Sequence, residues 1–161
     1  MTSEFAAHAL VLAAWLVLAV HLAVLSWIDF RQHRLPNRWV ASAGIFGITM
    51  LTAAAYLSGD FHPLGRAVLA GFMGSAVMLL ANALGGLGMG DVKLAAVLGL
   101  YLGWLSWTAA FAGLWLAFAF AAATVLVKAL GSRDSWRRAI PFGPFLSAGT
   151  LVVGTFLAIG F

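Results

Sequence analysis

The chain has 161 residues, of which 63% are hydrophobic and 9% charged, with a mean hydropathy of +1.02. A soluble domain of that length has no interior large enough to hide so much apolar surface, so the composition excludes an ordinary water-soluble globule and calls for lipid around most of it. The net charge of +4 is carried by basic residues in short loops between apolar runs, which points to membrane orientation rather than nucleic acid, and the absence of cysteine removes disulfides, thiolate nucleophiles and thiolate zinc sites.

The first apolar run, residues 5–28, has no basic residue ahead of it, the first being Arg31, and it exceeds the core of a secretory signal. It is therefore predicted to be a retained spanning helix. A crossing needs about 20 apolar residues, a requirement met at 39–58, 67–84 and 140–161. The stretch Leu94–Val127 is too long for one crossing. Within it, "GLYLGWLSW" (99–107) offers glycine and serine for a reversal and Trp and Tyr for interface depth, which divides it into spans at 92–103 and 106–128. The expected fold class is an all-α integral membrane protein with six transmembrane helices, in a single polytopic domain over 1–161. Gly71, Gly74, Gly99 and Gly103 are predicted to permit close helix packing.

Six spans put Arg31, Arg34, Arg38, Lys93, Lys128, Arg133, Arg137 and Arg138 on one side and Arg66 alone on the other. Positive loops stay cytoplasmic, so both termini face outward. The same parity sets Asp29, at the end of the first span, and Asp91, in the loop after the third, at the cytoplasmic face. Asp134 lies in an inner loop among arginines, as a solvated ion pair, and Glu4 and Asp60 lie on the outer side.

Ionisable groups at a bilayer edge are expensive and face a cavity or one another. Asp29 and Asp91 are expected to meet. Two close carboxylates do not both ionise easily: one keeps its proton to higher pH and the pair titrates as a unit. Such a pair activates water without metal or covalent intermediate, the ionised partner taking a proton while the protonated one polarises a scissile carbonyl. Asp91 ends "LGGLGMGD", whose Gly85, Gly86, Gly88 and Gly90 leave bare backbone that an extended substrate can approach. The bland reading of those glycines is a turn after a helix.

Three segments in order, "IDFRQHRLPN" (28–37), "GMGDVKLAAVLGLYLGW" (88–104) and "IPFGPFL" (140–146), resemble the type IV prepilin peptidases, polytopic aspartic peptidases that share the glycine–x–glycine–aspartate motif with presenilin-type proteases. The resemblance implies that Asp29 and Asp91 are the catalytic pair. It also implies a prepilin or pseudopilin substrate whose leader is cut at the cytoplasmic membrane face, after a glycine, in the bacterial inner membrane. Many members carry an N-terminal domain with paired cysteines that methylates the product. This chain shows neither, so a peptidase alone is expected, with lipid bilayer and prepilins as partners.

The residues around the pair have local readings. Pro36 and Asn37 form a turn, with Asn37 placed to cap the next helix. Lys93 reads as an orientation anchor, because residues two apart on a helix face nearly opposite ways. Pro141 and Pro144 begin the last span, where proline costs little, and the resemblance implies that this turn, with Gly143, lines the active site. His8, His21, His33 and His62 show no ligand spacing, so no metal is assigned, and no cofactor is implied. The principal rival is a small proton- or cation-coupled transporter using the same aspartates as relays, which requires acids near the bilayer midplane rather than at helix ends.

Overall fold

The computed structural model describes residues 2–84, 88–131 and 142–159. Among them are six α-helices and no strand: α1 (Thr2–Gln32), α2 (Asn37–Ser58), α3 (His62–Ala83), α4 (Met89–Leu105), α5 (Trp107–Gly131) and α6 (Gly143–Ile159). Four of them, α1, α2, α3 and α5, are long and apolar enough to cross a membrane. At 17 residues each, α4 and α6 are at the lower limit for a crossing. Many large apolar side chains point outward, among them Phe5, Leu16, Phe72, Trp115 and Phe156, the surface that a polytopic membrane protein offers to lipid.

Two of the helices begin or end beyond the apolar segments of the sequence. Helix α1 continues four residues beyond 28, and α3 starts at His62, five ahead of 67. The long apolar stretch breaks at Ser106, whose extended backbone ends α4. Its hydroxyl then accepts the Ala109 amide at 2.9 Å, starting α5.

Packing joins consecutive helices: α1 with α2, α3 with α4, α5 with α6. The α3–α4 seam is the most intimate, and glycine is the reason. A methyl group added at Gly99 would lie 2.6 Å from the Ala70 carbonyl oxygen, and one at Gly71 would lie 2.7 Å from the Ala96 carbonyl oxygen. Gly74 and Gly103 face the partner helix in the same way, so the four small residues bring two backbones together.

Helix α4 is the hub, packed on α2, α3, α5 and α6. Tyr101, fully buried, anchors it: the hydroxyl donates to the Ala43 carbonyl at 3.2 Å and the ring meets Trp15 edge-on at 5.7 Å.

One end of the bundle gathers the C-terminus of α1 and the N-termini of α2, α4 and α6. At the opposite end Arg66, in the second turn of α3, reaches the last carbonyls of α4. It donates to Gly103 and Trp104 at 2.6 Å each and to Leu105 at 2.9 Å.

Candidate active site

From Ala14 onward the buried positions of α1 are Ala14, Leu18, Leu22, Leu25 and Asp29. That is one helical stripe, spaced by three and four, and its last member is a carboxylate. Asp29 is thus turned inward by the same periodicity that buries the leucines, and only 5% of its surface is exposed. His33 then ends the helix with a positive φ of 51°, its amide returning to the Asp29 carbonyl at 2.8 Å.

The partner of the Asp29 carboxylate comes from the far end of the chain. The first amides of a helix have no intrahelical acceptor, and at α6 the Gly143 amide donates to Asp29 Oδ2 at 3.0 Å. A negative charge at a helix N-terminus is favoured by the helix dipole as well. Pro144, next in line, has no amide to leave unpaired. Gly143 is required by space: a methyl group there would lie 2.8 Å from Asp29 Oδ2 and 3.2 Å from Leu35 Cδ2.

Asp91 sits in the first turn of α4, ahead of the 92–103 apolar run, with 9% of its surface exposed. Its Oδ2 accepts the amide of Gly88, the residue before the helix, at 3.2 Å. This is the half of a capping box that glycine at the cap still permits. Burial pushes the Asp91 carboxyl up to about 6, the Gly88 amide opposes the rise, and the nearby negative charge of Asp29 adds to it.

The remaining sequence-predicted residues fall around this pair. Gly90 is packed against Leu35, a methyl there lying 2.9 Å from Leu35 Cβ, so its missing side chain serves an internal contact as much as an open approach. Asn37 does not cap α2. Pro36 occupies the N-cap, no side chain bonds there, and Asn37 lies inside the helix. Instead the Asn37 Oδ1 accepts a hydrogen bond from Lys93 Nζ at 3.0 Å, tying the start of α2 to the start of α4 on the exposed rim. Lys93 is thus engaged by Asn37 rather than held as a free anchor. Pro141, Gly85, Gly86 and the 133–138 loop lie outside the described residues. No group of three His, Asp or Glu side chains that could hold a metal ion occurs among the described residues.

Two residues escaped the sequence reading. Leu35, inside the quoted "RLPN", touches both glycines beside the acids, and the extended conformation that a following proline imposes was its one local signal. Ser147, fully inside α6, donates to the Gly143 carbonyl at 2.9 Å, steadying the peptide next to the amide that holds Asp29.

Comparison with known proteins gives this arrangement a context. Residues 16–160 match the type IV leader peptidase family. The chain is 44% identical to leader peptidase HopD of Escherichia coli over 70 residues, 43% of each chain. It is 32% identical to a prepilin leader peptidase/N-methyltransferase of Burkholderia pseudomallei over 148 residues, 86% of this chain and 45% of that protein. The chain thus spans less than half the length of these curated relatives, and no solved structure matches it significantly. Since the family match takes in nearly the whole chain, both aspartates and the α6 turn included, the chain belongs to the type IV leader peptidase family.

Proposed function

We propose that the protein is a membrane-embedded aspartic endopeptidase that cleaves the leader from prepilins or pseudopilins, using Asp29 and Asp91 to activate water. The observation that carries this reading is the pair itself: two buried carboxyls at one end of the bundle, each held through Oδ2 by a backbone amide at a helix start.

In the reaction the ionised member of the pair takes a proton from water as the water oxygen attacks the scissile carbonyl. The protonated member donates to the carbonyl oxygen, and the leaving amine takes up a proton as the carbon–nitrogen bond breaks. The raised Asp91 makes it the better candidate for the protonated role.

The charge distribution supports the cytoplasmic side for this chemistry. Arg31, Arg34, Arg38 and Lys93 surround the end with the acids, whereas Arg66 is at the other. On this reading the six helices cross the bacterial inner membrane, and the same charge distribution turns both termini outward. Since leader peptides and these loops are both basic, the substrate is recruited through its apolar helix. The transporter reading draws no support from the geometry, because both acids lie at helix ends.

The test is leader cleavage in membranes, run on a panel of candidate prepilins. Asp29→Asn and Asp91→Asn are each expected to lower cleavage by about 10²–10⁴-fold while the protein stays inserted. Normal processing by either variant refutes the assignment.

A further inference from the structure

Among the described residues, the Leu35 side chain approaches glycines beside both acids. Leu35 belongs to the four-residue connection 33–36 between α1 and α2. Its Cβ faces Gly90, directly before Asp91, and its Cδ2 faces Gly143, whose amide holds Asp29. A methyl group at Gly90 would lie 2.9 Å from Leu35 Cβ, and one at Gly143 would lie 3.2 Å from Leu35 Cδ2, closer than side chains ordinarily pack.

The connection is itself constrained. His33 leaves α1 in the left-handed region, and Pro36 caps α2 in an extended conformation and restricts Leu35 just ahead of it. The Lys93–Asn37 hydrogen bond ties the residue after the connection to α4. Leu35 also packs on the main apolar core. Its two ends therefore bear on two backbones, and its own backbone is held by neighbours on either side.

We propose that Leu35 is a positioning residue, a wedge that sets the separation of the Asp29 and Asp91 carboxyls by seating at once on the Gly90 and Gly143 backbones. A residue that only filled core volume would contribute stability and leave that separation alone. A wedge makes the shared proton depend on a side chain that has no polar atom. The proposal rests on reading Asp29 and Asp91 as the reacting pair, so one readout must be independent of cleavage.

The chain has no cysteine, which supplies that readout. In full-length protein in membranes, Asp29→Cys with Asp91→Cys leaves one thiol pair, whose joining by copper-catalysed oxidation or a short bifunctional thiol reagent reports the separation. Adding Leu35→Ala removes the spacer, lets the two segments close and is expected to raise the yield severalfold. In the enzyme with both aspartates, Leu35→Ala is expected to lower kcat about tenfold with KM within about twofold. It should also shift the alkaline limb of the pH–rate profile to higher pH, as the carboxyls approach and their repulsion grows. Leu35→Met is expected to restore most of both.

A folded Leu35→Ala variant with unchanged cross-linking overturns the proposal, as does one that loses stability but keeps the wild-type pH limb. If that variant does not insert, Gly90→Ala presses on Leu35 from the other side, and unchanged cross-linking there overturns the proposal equally. If the wild-type protein cleaves no prepilin while cross-linking of the two-cysteine variant still depends on Leu35, the peptidase reading is refuted and the wedge upheld.

Discussion

Gly143 shows how little a single atom position leaves to spare. Its amide and its missing side chain are both used by Asp29, at 3.0 Å and with no room for a methyl. Gly143→Ala is expected to push the carboxylate off the amide and to lower cleavage by up to about 100-fold with the helix bundle intact. Cleavage at the wild-type rate by a folded variant contradicts this. Asp91 gives a second prediction, whose sign follows from its raised value of about 6. A carboxyl that is harder to ionise when folded holds its proton more tightly in the folded chain than in the unfolded one. Its stabilising contribution is therefore complete below about pH 4 and is lost as pH climbs through about 6, on the order of 3 kcal/mol in all. Asp91→Asn has no proton to lose and should flatten the pH dependence of thermal unfolding over that window. An unchanged slope argues against the shift. Both acids were legible in the sequence, Asp29 as the acid ending the first apolar span on the same face as Asp91, and Asp91 from its glycines. Leu35 was not legible, because its partners are glycines distant in sequence and neither carries a side chain to set a pattern.

Among the helices, Arg66 is where charge and packing meet. On topology alone it was the exception, a lone basic residue on the side away from the others. The structure gives it a partner: the carbonyls at the end of α4, which no later residue of that helix can satisfy. Arg66→Met is expected to destabilise the bundle by about 2–4 kcal/mol, seen as a lower melting temperature in detergent. Arg66→Lys should recover part of that, since an ammonium lacks the guanidinium fork. Equal stability of Arg66→Met and wild type refutes the capping role. No sequence period links residue 66 to residues 103–105, so this contact was invisible beforehand. The helices themselves were readable as apolar runs, and so was the close seam at Gly71, Gly74, Gly99 and Gly103. Their ends were not, because backbone hydrogen bonding carries a helix beyond its apolar stretch, as α1 does past residue 28.

For the whole molecule the question is which face of the membrane carries the acids. The cysteine-free chain allows single thiols to be placed at will. His33→Cys, beside the acids, is expected to react with a membrane-impermeant maleimide only from the cytoplasmic side, and Asp60→Cys only from the outside. The reverse pattern refutes the orientation. The site is also assembled from all three helix pairs: Asp29 and Leu35 from α1 and α2, Gly88 and Asp91 from α3 and α4, Gly143 from α5 and α6. During synthesis, a nascent chain that has emerged only through α4 already owns both acids but not the amide that grips the first of them. On the proposed peptidase reading, competence to cut therefore arrives only once the α5–α6 hairpin has docked.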